Sequence, residues 1–452
     1  MTRHRKRDDS RSDSRADSSP RRKPKREAPE AIYVPADEID HNALDRDARR
    51  VVMRLQNEGY EAYFVGGCVR DLMIGRVPKD FDVATSARPR EVSRLFGNGR
   101  IIGRRFKLVH IRYGNKIIET ATFRAEPRDQ GEKEDLLIRE DNEFGTAGED
   151  ARRRDFTVNG LFLDPATDEI IDYVDGLYDL DKRILRTIGD PYVRLAEDPV
   201  RIMRAIKFAT RLDFHIHQDT WDAMCEQAEQ LERSAPPRVL EEILRLVRSG
   251  SALGAFRMMR DCGVLTVLLP QLAEFLGPRP TKDPKVKDRA GSFWALLEAL
   301  DSRVHQGWQP TTAVCIALMF VLVVEDLAER DDIDVDEAAW EILEPLASHT
   351  RLSRRDFSRA RRIITLLPQF TQGPSKRFSP LLFARSEDFP EALDLFGLRA
   401  HARGKGWDIY EGWVARSARA RGAEDDELDE ERRRTRTRKR RRRRRRSPGD
   451  KG

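Results

Sequence analysis

Cysteine and histidine are scarce in this sequence, and neither forms a pattern. The 452 residues include four cysteines and eight histidines, no Cys-x-x-Cys pair occurs, and the histidines form no ligand cluster. Disulfide scaffolds and structural zinc sites need these residues at regular short spacings. The sequence therefore excludes both, and it fits a reducing compartment, which predicts a cytoplasmic protein.

Long apolar segments are missing as well. The longest apolar run covers residues 313–324, which is too short to cross a bilayer and is typical of a buried helix. The N-terminus carries too many charges for a secretory signal peptide. We therefore expect no membrane partner.

Charge is abundant and unevenly distributed. Charged residues make up 36% of the chain, and its formal net charge is +6. Residues 1–30 contain 11 Lys/Arg and 6 Asp/Glu, and residues 432–452 contain 14 Lys/Arg and 1 Asp/Glu. The rest of the chain therefore has a net charge of −12. Segments of this composition bury too little apolar surface to fold, so both tails are predicted to be disordered.

The C-terminal tail predicts a polyanionic partner, and RNA is favoured because Lys and Arg neutralise backbone phosphates. A solubilising extension, or neutralisation by the acidic run at residues 424–431, is the alternative. The candidate RNA-binding residues are Arg438, Lys439, Arg440, Arg441, Arg442, Arg443 and Arg444.

Length and patterning predict roughly two to four domains, since one core does not organise a chain of this size. The fold class is α+β: a mixed α/β unit with one sheet to about residue 187, then all-helical units after residue 191. A loop is predicted at 125–150 and a linker at 277–288. Predicted strands cover residues 60–65, 81–85, 108–113, 116–123 and 170–174, and predicted helices cover 42–58, 199–212, 237–249, 252–262 and 292–304.

Two aspartates in Lys79-Asp80-Phe81-Asp82-Val83 are the most informative feature. Strand alternation places the carboxylates of Asp80 and Asp82 on one face, where like charges repel unless a cation lies between them. Both are candidate Mg²⁺ ligands and catalytic residues, because Mg²⁺ prefers carboxylate oxygens. An isolated Asp-x-Asp is more often a solvated strand edge. Neighbouring motifs therefore have to decide whether this pair is a metal site.

The upstream run Tyr63-Phe64-Val65-Gly66-Gly67-Cys68-Val69-Arg70-Asp71 supplies such a motif. Its glycines let backbone N–H groups approach a phosphate, and a helix is expected to begin there. We expect Gly66, Gly67 and Arg70 to face nucleotide phosphates. Asp71 either binds directly or orients Arg70.

Glu119 is a candidate third catalytic carboxylate. It lies in the alternating run Ile117-Ile118-Glu119-Thr120-Ala121 and could point into the same cleft. The alternative is a solvated strand residue.

Two later runs supply candidate nucleotide-binding residues. In Arg152-Arg153-Arg154-Asp155-Phe156-Thr157-Val158-Asn159, a helix would place Asp155 and Asn159 one turn apart and within reach of a ribose. In Glu197-Asp198-Pro199-Val200-Arg201, an acid beside an arginine can present an acceptor and donors to a nucleobase. A solvated helix face and simple helix capping are the alternatives. The candidates are Arg154, Asp155, Asn159, Asp198, Arg201 and Arg204.

In this order the motifs resemble those of the class II nucleotidyltransferases, which include bacterial poly(A) polymerases and CCA-adding tRNA nucleotidyltransferases. The resemblance is good from about residue 40 to 280, patchier to 415 and absent from the first 30 residues. It rests on Val65–Asp71, Asp80–Asp82, Arg153–Asn159, Asp175–Leu180 and Glu197–Arg201. The run Ile102–Ile111 and the basic tail look like the poly(A) polymerase branch. Cys68 and Gly160 depart from the family pattern.

The resemblance implies a catalytic head at 31–187, a neck at 188–277 that binds nucleobase and RNA, and an RNA-binding body at 278–420, with tails at 1–30 and 421–452. It also implies that Asp80 and Asp82 bind Mg²⁺, that Asp155 and Asn159 contact sugar or phosphate, and that Asp198 and Arg201 read the base. Residues 175–180 would form a hinge-like loop.

The expected function is template-independent addition of adenylates from ATP to RNA 3′ ends. CCA addition to tRNA with CTP and ATP is the alternative within the class. A non-catalytic RNA-binding scaffold acting through its tails is the alternative of another class. Expected partners are RNA 3′ ends, ATP and RNA-decay proteins, and the protein is expected to be a monomer.

Overall fold

The computed structural model describes residues 30–103, 107–125, 143–372 and 378–421. Nearly all of each predicted tail lies outside the described residues. Most of the predicted loop at 125–150 also lies outside them. Within the described residues no helix is both long enough and apolar enough to cross a membrane.

An eight-stranded mixed sheet organises the N-terminal part of the chain. The spatial order is β1-β8-β7-β2-β3-β6-β5-β4, and only the β3–β6 pair is parallel. A separate pair, β9 and β10, is parallel. The strands are β1 Ile32–Pro35, β2 Ala62–Val65, β3 Asp82–Thr85, β4 Gly99–Ile102, β5 Leu108–Tyr113, β6 Lys116–Thr122, β7 Leu161–Asp164, β8 Glu169–Asp172, β9 Ile184–Leu185 and β10 His215–Ile216.

Helices flank the sheet and form the rest of the described chain. In the sheet region they are α1 Arg46–Asn57, α2 Gly67–Met73, α3 Pro89–Leu95, α4 Ala147–Arg152 and α5 Gly176–Asp181. They continue with α6 Pro191–Glu197, α7 Val200–Leu212, α8 Gln218–Glu226, α9 Pro236–Val247, α10 Ala252–Asp261, α11 Val264–Leu268, α12 Pro270–Leu276 and α13 Pro284–His305. The last are α14 Thr312–Asp331, α15 Val335–Thr350, α16 Arg354–Leu366, α17 Pro380–Ala384, α18 Phe389–Arg403 and α19 Trp407–Arg421. Short 3₁₀ helices cover His41–Ala43, Thr157–Asn159, Ala228–Arg233 and Leu367–Thr371.

The two faces of the sheet pack differently. One face, with Phe64 and Val83, joins the core that continues into the helices. The opposite face carries a smaller cluster that includes Val65, Ala84 and Phe162. Because side chains alternate along a strand, Asp82 shares this second face with Ala84.

The predicted strands and helices are present, with ends shifted by a few residues. Residues 313–324 lie in α14 and are almost wholly buried, as predicted. Three local predictions were wrong. Helix α4 begins inside the predicted loop, α13 begins inside the predicted linker, and residues 176–180 belong to helix α5 instead of a loop.

Each of these corrections has a capping signal in the sequence. Thr146 and Glu149 form a capping box at α4, with the Glu149 N–H donating to Thr146 Oγ1 at 3.3 Å. Asp283 caps α13 by accepting from the Lys285 N–H at 2.9 Å. At α5, the buried Asp172 accepts from the backbone N–H groups of Gly176 and Leu177.

Gly160 is needed for packing below the 3₁₀ helix Thr157–Asn159. A Cβ at this position would lie 2.5 Å from Val174 Cγ2 and 3.2 Å from the Thr157 carbonyl oxygen. The departure of Gly160 from the family pattern therefore has a steric reason here.

We predict that Gly160→Ala lowers the thermal unfolding temperature, because overpacking costs about 1–3 kcal/mol. Gly291→Ala is the matched control: Gly291 lies in α13, a Cβ there meets nothing within 4 Å, and alanine favours helix. Thermal unfolding followed by circular dichroism compares the two variants. Equal unfolding temperatures would contradict the steric assignment.

Candidate active site

A charged cavity of about 480 Å³ lies where β2, β3 and α2 meet α7 and the first turn of α9. All of the predicted nucleotide-binding residues and both predicted metal ligands line it. The lining consists of Gly66, Gly67, Cys68, Arg70, Asp71, Lys79, Asp80, Asp82, Arg154, Asp155, Asn159, Asp198, Arg201, Arg204, Phe208, Arg211 and Arg238. We call this space the charged cavity.

The two predicted metal ligands line the charged cavity, although not through simple strand alternation. Asp82 is the first residue of β3, whereas Asp80 precedes the strand. Glu119 does not line the cavity, but it is the register partner of Asp82 on the parallel strand β6. Its side chain is 55% exposed, and its Oε1 lies 3.5 Å from Nε2 of His110.

The surroundings of Asp82 disfavour its negative charge. Partial burial within the cavity, together with the charges of Glu119 and Asp80, raises the pKa of Asp82 to about 6, and the nearby Arg154 offsets only part of this effect. Among the described residues, no three His, Cys, Asp or Glu side chains are already gathered as metal ligands. Two carboxylates nevertheless suit Mg²⁺, which typically completes its coordination with water and substrate phosphates.

The glycine turn before α2 has no room for a larger residue. Gly66 has φ +77°, a conformation that side-chain-bearing residues rarely adopt. A Cβ there would lie 2.8 Å from Nη1 of Arg154. The turn therefore brings backbone into the cavity beside a guanidinium, and α2 begins at Gly67 as predicted.

Asp71 orients Arg70, which is one of its two predicted roles. Arg70 donates from Nε and Nη2 to Asp71 Oδ1 at 2.9 and 2.5 Å, and from Nη1 to Asn159 Oδ1 at 2.6 Å. Both charged residues are buried. These contacts hold the Arg70 guanidinium in one position before any ligand arrives.

Asp155 and Asn159 contact one another, but not on the predicted helix. Helix α4 ends at Arg152, and a 3₁₀ helix begins at Thr157. The side-chain amide of Asn159 donates to Asp155 Oδ1 at 3.0 Å, and Arg204 Nη2 lies 2.6 Å from Asp155 Oδ2. Arg154 instead pairs with Asp150, from Nη2 at 2.9 Å.

The Asp155 carboxylate is stabilised in its charged form. Burial alone would raise the pKa of Asp155, but the Arg204 guanidinium and the Asn159 amide outweigh burial and lower the pKa to about 2. The same contact raises the pKa of Arg204. The pKa values of Asp155 and Asp82, which line the same cavity, are therefore shifted in opposite directions.

Asp198 and Arg201 both line the cavity, but they pair with other residues. Arg201 is buried and donates from Nη1 to the Arg194 carbonyl at 2.6 Å and to Glu197 Oε2 at 3.1 Å. Asp198 is held by Arg238, whose Nη1 and Nη2 lie 2.8 Å from Oδ1 and Oδ2.

Sequence reasoning missed Arg238, Arg211 and Lys79 as cavity residues. Arg238 follows two prolines at the start of α9, far from Asp198 in sequence, so no local spacing links them. Phe208 also lines the cavity and was not among the predicted site residues. Its ring lies 5.1 Å from the Arg70 guanidinium carbon and 5.3 Å from that of Arg204.

We predict that Asp155→Asn lowers the unfolding temperature at pH 6 and that the difference from the wild type shrinks as the pH falls from about 4 to about 2. A folded-state pKa of about 2 lies below the ordinary value. The charge therefore stabilises the fold above pH 4, and this contribution is lost as the carboxyl group is protonated.

Thermal unfolding across pH measures this effect, and Asp181→Asn is its control because that carboxylate is exposed and pairs only with its neighbour Lys182 in the described contacts. A difference for Asp155→Asn that stays constant with pH would contradict the assigned ion pair.

Comparison with known proteins finds family matches in three parts of the chain. A model described as "Poly A polymerase head domain" matches residues 62–186. "Probable RNA and SrmB- binding site of polymerase A" matches residues 213–276, and "Polymerase A arginine-rich C-terminus" matches residues 330–447.

Two curated relatives are poly(A) polymerases by name. Poly(A) polymerase I of Haemophilus influenzae is 42% identical over 246 residues, which cover 53% of this chain and 54% of that protein. Poly(A) polymerase I of Escherichia coli O6:H1 is 32% identical over 393 residues, 82% of each chain. The chain thus spans about half the length of the first relative and most of the second.

A solved structure has the same fold. The CCA-adding enzyme of Bacillus stearothermophilus in complex with CTP superposes with a TM-score of 0.62 at 25% identity, over 82% of each chain.

Proposed function

The chain belongs to the nucleotidyltransferase family of the bacterial poly(A) polymerases and CCA-adding enzymes, and we propose that it adds adenylates from ATP to RNA 3′ ends without a template. The carrying observation is the charged cavity, which gathers two carboxylates, a glycine turn and several arginines in one space. The poly(A) polymerase relatives favour adenylate addition.

Asp80 and Asp82 would hold Mg²⁺. When bound, the ion would neutralise charge on the leaving pyrophosphate and favour ionisation of the attacking 3′-hydroxyl. The raised pKa of Asp82, caused first by burial and then by the charges of Glu119 and Asp80, supports this role, because a bound cation would stabilise the charged form of the carboxylate. Glu119 contributes negative charge from the adjacent strand.

The other cavity residues would bind the nucleotide. The Gly66–Gly67 backbone, Arg70 and Arg154 would face the phosphates, while Asn159 and the buried Asp155 would contact the sugar. Asp198, Arg201 and Arg204 lie on the helical side and would receive the base. The reaction requires positioning and charge stabilisation more than covalent chemistry from the protein.

The RNA 3′ end would enter from the helical part of the chain. The family model described as an RNA-binding site covers residues 213–276. Arg438, Lys439 and the following arginines lie outside the described residues, and we propose that they add nonspecific affinity for phosphates. Cytoplasmic location, a monomeric state and association with RNA-decay proteins complete the proposal.

CCA addition is the second candidate function, because a CCA-adding enzyme shares the fold. Incubation of the protein with generic RNA and with tRNA ending in C or CC, with ATP and CTP supplied separately, distinguishes the two. We expect long adenylate tracts on generic RNA and no use of CTP. Addition that stops after one adenylate on tRNA would overturn polyadenylation.

We predict that Asp80→Asn and Asp82→Asn each slow adenylate addition by about a thousandfold or more, because metal-bound charge stabilisation supplies several kcal/mol. RNA affinity should change little. Primer extension with ATP measures turnover, and a filter-binding assay measures affinity.

Asp181→Asn is the control for these variants, since Asp181 is exposed on α5 outside the charged cavity. Chelation of divalent ions with EDTA should stop the wild type as well. Wild-type turnover in either variant would reject the metal assignment.

We also predict that deletion of residues 432–452 weakens RNA binding and reduces its salt dependence, because fewer counterions are released. Measurement of the RNA affinity at salt concentrations from about 50 to about 400 mM gives the slope of the salt dependence. Deletion of residues 1–29 is the comparison variant and should reduce the salt dependence less, since that segment carries a net charge of +6 against +13 for residues 432–452. An unchanged slope would reject a role for the C-terminal tail in RNA binding.

A further inference from the structure

Asp198 is held by a residue from a different helix. The Arg238 guanidinium meets both carboxylate oxygens, Nη1 to Oδ1 and Nη2 to Oδ2, each at 2.8 Å. Both side chains line the charged cavity. A two-point contact of this kind fixes the plane and the direction of the carboxylate as well as its position.

The neighbouring arginine does not hold Asp198 in the described contacts. Arg201 donates from Nη1 to the Arg194 carbonyl and to Glu197, and its side chain is only 10% exposed. The Arg238 side chain is 47% exposed. Arg238 is therefore the guanidinium that controls the carboxylate on the base side of the cavity.

Helix α9 gives Arg238 a rigid support. The helix begins with Pro236 and Pro237, whose rings fix the backbone of its first turn. Val239 and Ile243 of the same helix are buried in the helical core. The direction of the Asp198 carboxylate is thus set by a packed helix instead of by its own short segment.

We propose that Arg238 is a positioning residue for nucleobase selection, which rests on the proposed function. With one lone pair on each oxygen used by Arg238, the Asp198 carboxylate keeps acceptor capacity toward the cavity. Adenine presents an exocyclic amino group as a donor, whereas guanine and uracil present a carbonyl oxygen at the corresponding ring position. A fixed carboxylate accepts from the amino group and repels the carbonyl oxygen.

Loss of Arg238 frees the Asp198 side chain to rotate away from the base. We expect Arg238→Gln to raise the KM for ATP by about tenfold, the effect of losing one charge-assisted contact, with kcat within about twofold, because the reacting atoms are untouched. Use of GTP and UTP relative to ATP should rise. Arg238→Lys keeps the positive charge but not the two-point contact of the guanidinium. Its KM for ATP should therefore lie between that of the wild type and that of Arg238→Gln.

Arg245→Gln is the matched control. Arg245 lies on the same helix, its side chain is 51% exposed, and it also pairs with acids, Glu241 and Glu242, yet it does not line the cavity. Steady-state primer extension with each of the four nucleotides gives KM, kcat and selectivity for every variant. Thermal unfolding checks that all variants fold, since an exposed ion pair contributes little to stability.

A double variant tests whether Arg238 acts through Asp198. The KM of Asp198→Asn with Arg238→Gln should equal that of Asp198→Asn alone, because the second change removes a support that no longer has a function. The inference would be overturned if the effects of the two single changes on KM multiplied in the double variant. It would also be overturned if Arg238→Gln had wild-type KM and selectivity. In both cases adenylate addition by the wild type would still stand. A wild-type protein that adds no nucleotide would instead reject the proposed function itself.

Discussion

A buried network of charged and amide side chains is the constraint on which the charged cavity depends. It runs from Asp71 through Arg70 and Asn159 to Asp155 and Arg204, with contacts from 2.5 to 3.0 Å. It joins α2, the 3₁₀ helix Thr157–Asn159 and α7. Removal of the Asp71 carboxylate leaves the buried Arg70 guanidinium without an acidic partner in the described contacts, and an unpaired buried charge typically costs about 3–5 kcal/mol. The cavity wall is therefore fixed before any substrate binds.

The charges of the cavity divide into two groups with different physical roles. Asp71, Asp155 and Asp198 pair with Arg211, Arg204 and Arg238, respectively, and these pairs hold different segments of the chain together. Asp82 faces Asp80 and Glu119 instead, and its pKa is raised while that of Asp155 is lowered. Opposite shifts of neighbouring carboxylates are typical of a functional site. The paired acids give the site its shape, and the repelled acids are the ones proposed to hold Mg²⁺.

Local signals in the sequence were sufficient for much of the fold and for the candidate site. The glycine turn at Gly66, the helix after Pro199 and the buried helix at residues 313–324 were all predicted at or near their observed positions. The strands β1 and β4 were missed because they lie at the two edges of the sheet and present no buried face, and β7 was missed because its first three residues are all buried, so none of the three shows an alternating pattern. Helix α4 was missed although its capping box is present in the sequence.

By itself, the sequence determined most of the residues that line the charged cavity, because those residues lie in short contiguous motifs whose composition reflects local backbone needs and charge. Only the tertiary structure decided how they are paired. In the described contacts Asp198 pairs with Arg238 and not with Arg201, and Asp155 pairs with Arg204 of α7. Ion pairs between elements depend on packing geometry in three dimensions, and no spacing along the chain encodes that distance.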